Sequence, residues 1–167
     1  MKTLKKYCIL GFLFVSLVGT LSHFVYEWSG NNFLVGFLFP INESTWEHMK
    51  LAFFPMLLYS IYANGKLKQE YPCVTSALLS GTLLSTLLIP ILFYTYSGIL
   101  GQTIDAVNIA TYYISILVAF ITIYRLTVSC KAEPFLGLLK SLILIFAAAF
   151  LVFTYLPPNL GIFVSPV

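Results

Sequence analysis

The strongest constraint on the fold is a series of long apolar segments separated by short polar ones. A helix that crosses the hydrocarbon core of a bilayer needs about 20 residues. None of the segments alternates as a barrel strand does, so helices are expected. The sequence therefore predicts an all-α integral membrane bundle in a single domain, with five transmembrane spans at about 7–28, 45–63, 73–96, 104–124 and 135–156.

Composition excludes a soluble protein. The chain is 59% hydrophobic and 9% charged, whereas a soluble domain has about 25% charged residues. A soluble protein of this length could not cover so much apolar surface with so few charges. The net charge of +3 does not indicate nucleic-acid binding, because no basic cluster is large enough. The expected surroundings are the lipid bilayer.

The first apolar segment also resembles a signal peptide, with a basic start and the small residues Thr20 and Ser22 near a possible cleavage site. Its apolar run from Tyr7 to Tyr26 is longer than a signal peptide requires. We therefore expect an uncleaved first span.

The second span begins with polar residues. Counting about 20 residues back from Asn64 places its start near Thr45, so Glu47 and Lys50 belong to the first turns of the helix. Ser44 and Glu47 have the spacing of a capping box, and Asn42 is an alternative N-cap one turn earlier.

The distribution of positive charge predicts the orientation. If the N-terminus is cytoplasmic, eight of the nine lysines and arginines lie on the cytoplasmic side and Lys50 alone lies outside. The C-terminus is then outside. The three cysteines, Cys8, Cys73 and Cys130, also fall on the cytoplasmic side, where thiols stay reduced. We expect no disulfide and no cysteine metal site.

A short apolar stretch, Phe33–Ile41, lies between the first two spans. It is too short to cross the membrane, so we expect an outer re-entrant or interfacial segment that ends near Pro40.

The scarce ionisable groups gather on the outer side in this topology. Intramembrane ionisable groups are costly, so each needs a partner, water or a function. These groups are His23 and Glu27 in span one, Glu43, Glu47, His48 and Lys50 around the start of span two, and Asp105 at the start of span four, with the uncharged residues Trp46 and Asn108 beside them.

One hypothesis is a metal site in an outward-facing pocket formed by spans one, two and four. His23, His48 and either Glu43 or Glu47 would be ligands of zinc, iron or manganese. Glu27 would orient His23 or act as a base, and Glu47 is the other candidate base. A metal-bound water could hydrolyse a lipid or a small envelope molecule. Substrate or anion steering is assigned to Lys50, Asp105, Asn108 and Trp46.

The alternative is structural. Glu47 and Lys50 would form a salt bridge. His23 and Glu27, four residues apart on one face of span one, would form a hydrogen-bonded pair that holds this span to its neighbours. The protein would then be a non-enzymatic membrane subunit or transport component, with partners in an oligomer or larger complex. The sequence leaves both alternatives open.

The stretches FPINESTWEHMKLAFFP and FTYLPPNLGIF resemble a family of small bacterial multi-span membrane proteins with no assigned function. The family motif N-E-S-x-W-E-H-x-K is present as Asn42, Glu43, Ser44, Trp46, Glu47, His48 and Lys50. The resemblance implies a bacterial cytoplasmic membrane protein and supplies no activity.

Overall fold

A computed structural model describes residues 1–165, and the elements in this part of the chain are helical. The α-helices are α1 (Lys2–Trp28), α2 (Phe33–Gly36), α3 (Thr45–Leu67), α4 (Val74–Leu100), α5 (Asp105–Ser129) and α6 (Leu136–Phe153). Short 3-10 turns cover Glu133–Phe135 and Gly161–Phe163. The all-α prediction is confirmed for the described residues.

The helix ends differ from the predicted span ends. α1 begins at Lys2 rather than near residue 7, and α4 continues to Leu100. α6 ends at Phe153, three residues early. A helix can extend beyond the membrane as long as its backbone hydrogen bonds continue. Hydropathy identifies only the apolar part that would lie in lipid, so the two kinds of end need not coincide.

Four helices are long and apolar enough to cross a membrane: α1, α4, α5, and α6 with the turn before it. α3 does not join them, since polar side chains interrupt its 23 residues. The structure therefore supports four spans by length and composition, one fewer than the five predicted.

α3 is the centre of the bundle. More than half of its residues are buried, and it packs against α1 and α4. Aromatic contacts join it to α6, with the rings of Phe53 and Phe150 5.0 Å apart. By contrast, the buried residues of α6 are Ile143 and Phe150. Neighbouring helices thus shield α3, which explains how it can carry polar groups.

Small residues allow the closest helix contacts. A Cβ at Gly81 of α4 would collide with Ile123 of α5. A Cβ at Gly19 of α1 would collide with the hydroxyl of Tyr112, which donates a 2.8 Å hydrogen bond to the carbonyl oxygen of Val15. Small residues in α1 and α4 thus let these helices approach their neighbours closely.

An ion pair is buried inside the bundle at the start of α3. The side chains of Lys50 and Glu47 are 0% and 2% exposed, and Lys50 Nζ lies 2.8 Å from Glu47 Oε2. The ammonium also donates to the carbonyl oxygen of Gly36, at 3.0 Å, and to the hydroxyl of Thr154. All three of its hydrogens therefore have acceptors. This pair joins α2, α3 and the end of α6.

The outer segment predicted at 33–41 contains α2 and a series of turns. Asn32 caps α2 by accepting a 2.9 Å hydrogen bond from Leu34 N. Tyr155 stacks on Phe33 and donates to its carbonyl oxygen at 2.6 Å. One side of the segment is thus covered by protein, and the side chains of Phe33 and Leu34 are exposed on the other.

The prediction that no disulfide forms is wrong for this structure. Cys73 precedes α4, Cys130 ends α5, and the two sulfurs are bonded with Cα atoms 5.3 Å apart. The antiparallel packing of α4 and α5 brings these distant positions together, which spacing along the chain cannot reveal. Cys8 is a free thiol.

We predict that Lys50→Met strongly destabilises the protein. The change leaves the Glu47 carboxylate buried without its cation, which costs about 3–5 kcal/mol in comparable sites. Denaturation in detergent measures the loss. The double variant Glu47→Gln, Lys50→Met removes both charges and should recover much of the stability. Lys66→Met, at an exposed site, is the matched control. A Lys50→Met protein as stable as this control would contradict the prediction.

A second prediction concerns the contact between α1 and α5. Gly19→Ala should lower stability by about 1–3 kcal/mol, because overpacking forces the neighbouring atoms apart. Gly98→Ala in α4 is the control, since no atom lies within 4 Å of the added methyl group. Thermal unfolding of both variants in the same detergent tests the difference. Equal melting temperatures would show that the two helices separate at little cost.

Candidate metal centre

Local hydrogen bonds at the start of α3 fix the loop that carries Glu43. Ser44 is the N-cap, and its hydroxyl accepts a 3.3 Å hydrogen bond from Glu47 N. The side chain of Asn42 accepts from Ser44 N at 2.9 Å. Glu47 Oε2 accepts instead from Ile41 N, at 3.0 Å. The predicted capping box is therefore half formed, because Asn42 occupies the amide that Glu47 would take.

Three side chains from separate parts of the chain meet beside this loop. Glu43 Oε2 lies 3.2 Å from His48 Nε2 and 3.5 Å from His23 Nε2. The two imidazole rings have centroids 5.4 Å apart. The side chain of Glu43 is 64% exposed, while those of the histidines are 34% and 30% exposed. The cluster is therefore a half-open site between the end of α1 and the start of α3.

Two of the distances between these atoms fit a tetrahedral metal site. Two ligand atoms that each lie about 2.0–2.1 Å from zinc are about 3.3 Å from each other. The two histidine–glutamate distances bracket that value. Taking one ligand atom from each of His23, Glu43 and His48, all three atoms lie within 4.8 Å of one another. Two imidazoles and one carboxylate would leave a fourth position open toward the exposed side.

The second ring nitrogen of His48 determines its chemistry. Nδ1 lies 3.0 Å from the carbonyl oxygen of Ser44, and a carbonyl oxygen can only accept. Nδ1 therefore carries a hydrogen, so in the neutral ring Nε2 presents a lone pair. That lone pair faces the Glu43 carboxylate at 3.2 Å. Two acceptors this close require a proton or a cation between them. In metal sites, too, a ligating histidine commonly donates its other ring N–H to a backbone carbonyl oxygen.

The electrostatics favour an ionised Glu43. When a proton rather than a metal cation lies between His48 Nε2 and Glu43, the hydrogen bond from His48 holds the pKa of the Glu43 carboxyl below its usual range. Partial burial opposes that shift, and the charges of both imidazoles add to it. An ionised carboxylate is the form that ligates a metal.

Glu47 and Lys50 lie outside the cluster. Their side chains are buried in the ion pair, and Glu47 is further bonded to Ile41 N and to the hydroxyl of Thr154. A base or ligand role for Glu47 does not fit this position, nor does anion steering by Lys50, because neither side chain reaches solvent. Between the two candidate carboxylate ligands, the geometry selects Glu43.

The other predicted site residues are dispersed. Trp46 is buried and packs against Phe150 and Phe163. Asn108 bonds with Tyr96 of α4, and Asp105 is exposed in the first turn of α5. α5 therefore supplies no ligand to the cluster of His23, Glu43 and His48.

Glu27 is exposed on α1, and among the described residues its side chain makes no hydrogen bond or ion pair. The expected pairing of His23 with Glu27 is not formed, because His23 turns toward Glu43. Glu27 follows His23 by four residues on α1, so it lies one turn further along the helix.

Sequence reasoning missed Thr154. Its hydroxyl accepts from Lys50, lies 3.3 Å from Glu47 Oε1 and donates to the carbonyl oxygen of Phe150 at 2.6 Å. It stands more than 100 residues from its ionic partners, so no local pattern could have paired them.

Comparison with known proteins agrees with the resemblance drawn from the motif. No curated protein and no solved structure shows detectable similarity to the chain. The match to a family described as a family of unknown function, DUF6512, extends over residues 1–167. The chain therefore belongs to the DUF6512 family.

Proposed function

We propose that this protein is a multi-pass membrane protein whose His23, Glu43 and His48 bind a divalent metal, with zinc favoured and iron or manganese as alternatives. The observation that carries the proposal is the meeting of three ligand atoms at distances of 3.2 and 3.5 Å. It is supported by the lone pair of His48, which needs a positive partner beside Glu43. Two histidines and a glutamate are also the ligand set of several catalytic zinc sites.

We place α3 in the membrane as a fifth span. Its length of 23 residues is sufficient. Its polar start meets protein rather than lipid, since Lys50 and Glu47 are paired and buried. Five spans put the two chain ends on opposite sides of the membrane.

The orientation follows from the charges. Apart from Lys50, the lysines and arginines lie toward the end where α1 and α4 begin. The amino group of Met1 donates to the hydroxyl of Tyr71 at 2.9 Å, which places the N-terminus and the α3–α4 connection at the same end. The positive-inside rule makes this end cytoplasmic, in a bacterial cytoplasmic membrane. The His/Glu cluster then faces outward.

The proposed activity is hydrolysis of a lipid or a small envelope molecule. A bound metal would supply a Lewis acid and an activated water. The chain's own residues would hold that ion at a half-open site, with His48 oriented by the carbonyl oxygen of Ser44. Glu27 is exposed one helical turn beyond His23, and we assign it the role of base.

A second candidate is a structural lock without metal. The distance of 3.2 Å between His48 Nε2 and Glu43 also fits a hydrogen bond from a protonated imidazole. The cluster would then hold the end of α1 to the start of α3 in a non-enzymatic membrane subunit or transport component.

Elemental analysis of the detergent-purified protein distinguishes the two candidates. We expect near-stoichiometric zinc, iron or manganese in the wild type and background levels in His23→Ala and His48→Ala, because two remaining ligands hold the ion weakly. Glu43→Gln is the variant that best separates metal binding from hydrogen bonding. Glutamine keeps a hydrogen-bond acceptor for His48 but is a poor metal ligand.

Glu70→Gln is the control for that experiment, since Glu70 is exposed near the opposite end of the bundle. Metal loss in Glu43→Gln with unchanged melting of the metal-free protein supports the metal site. The opposite result would be a wild-type protein that contains no metal and takes up none when metal is added. If Glu43→Ala and His48→Ala then destabilise it equally, the structural lock is supported instead.

Reporter fusions test the orientation separately. A reporter active only outside the membrane should be active at the C-terminus and inactive at the N-terminus. Activity at both ends, or at the N-terminus alone, would overturn the five-span topology or its direction.

A further inference from the structure

The disulfide between Cys73 and Cys130 lies at the cation-rich end of the bundle. Lys68 lies shortly before Cys73 in the chain, and Lys131 directly follows Cys130. The proposed orientation makes this end cytoplasmic. Thiols are kept reduced in the cytoplasm, and cytoplasmic disulfides are mostly transient or regulatory. A permanent structural disulfide therefore does not suit this position.

We infer that Cys73 and Cys130 form a reversible redox pair on the cytoplasmic face, which opens under reducing conditions and closes when a low-molecular-weight disulfide oxidises it. The inference rests on the proposed orientation and is independent of the metal site. Its basis is the juxtaposition itself. The two Cα atoms are 5.3 Å apart, within the range from which a disulfide forms without backbone movement.

The surroundings of the two sulfurs suit them to different steps of the exchange. Cys130 is exposed after the last turn of α5, whereas Cys73 is 7% exposed and occupies the N-cap position of α4. The exposed sulfur is the one that a soluble reagent can reach. The partial positive charge at a helix N-terminus favours the thiolate of Cys73, which suits it to close the bond.

The exchange balances without another reactant. The Cys130 thiolate attacks one sulfur of the small disulfide, forms a mixed disulfide and releases one thiolate. The Cys73 thiolate then attacks the Cys130 sulfur, forms the protein disulfide and releases the second thiolate. The two cysteines lose two electrons and two protons, and the small disulfide becomes two thiols. Excess small thiol reverses both steps.

The bond controls the connection between α5 and α6. Beside it, the hydroxyl of Ser76 lies 2.7 Å from Glu133 Oε2, in the 3-10 turn that leads into α6. α6 has two buried residues, Ile143 and Phe150, and the first half of the helix also packs on the core through the partly buried Leu139 and Leu142. The connection adds to these contacts in positioning α6. The closed disulfide ties the connection to α4. Reduction leaves the Ser76–Glu133 hydrogen bond to hold it.

Gel-shift alkylation in sealed vesicles tests the pair. Cys8→Ser removes the third thiol, so that a protein in this background carries either two alkylatable cysteines or none. Vesicles with the cytoplasmic face outward are equilibrated with glutathione buffers of graded ratio and quenched with acid. The protein is then unfolded in detergent at neutral pH, so that both sulfurs are accessible, and treated with a polymer-linked maleimide. We expect two tags in reduced glutathione, none in oxidised glutathione, and recovery of two tags on return to the reducing buffer.

Two controls use the same background. Cys73→Ser and Cys130→Ser, each with Cys8→Ser, should show one tag after treatment with a reducing buffer. Oxidation should raise the melting temperature of the two-cysteine protein and leave the melting temperature of the single-cysteine controls unchanged. Vesicles of the opposite orientation should not respond, because charged glutathione does not cross the membrane.

Three results would overturn the inference. The pair could keep two tags at all buffer ratios, or keep none under strongly reducing conditions. Alternatively, it could respond only in vesicles with the outer face exposed. The last result would also reverse the proposed orientation, while metal analysis of the His/Glu cluster would stand unaffected.

Discussion

The buried ion pair between Lys50 and Glu47 is the interaction on which one end of the bundle, that of α2 and the start of α3, depends. Two opposite charges without access to water are tolerable only when every donor and acceptor is satisfied. Here the ammonium has three acceptors, and the carboxylate accepts from Ile41 N as well. These partners come from α2, α3 and the end of α6. The pair therefore fixes how three separate segments meet.

The candidate metal centre depends on the same arrangement. Glu43 lies in the loop between Ile41, which is bonded to the buried pair, and Ser44, which caps α3. His48 is oriented by the carbonyl oxygen of Ser44. The motif thus has two neighbouring roles. Its buried residues anchor the loop, and its partly exposed residues, Glu43 and His48, bring possible ligand atoms together at the surface.

The two ends of the bundle differ in chemistry. One end has both histidines and four of the six acids, and the other has eight of the nine lysines and arginines together with the Cys73–Cys130 disulfide. Charge asymmetry gives the orientation we propose, and the disulfide then falls where thiols are normally reduced. Cysteine spacing could not have predicted that bond, because it depends on the antiparallel packing of α4 and α5.

The sequence by itself determined the helical class and family membership, and it predicted the start of α3 near Thr45 with Ser44 or Asn42 as the cap, because hydropathy and capping act over a few residues. It also named His23, His48 and either Glu43 or Glu47 as candidate ligands. Only the tertiary structure decided between Glu43 and Glu47, since two carboxylates four residues apart look alike until one is buried against Lys50. The partners that settle this choice, Thr154 and Gly36, lie far away in the chain. Long-range packing brings them together, and no local pattern encodes it.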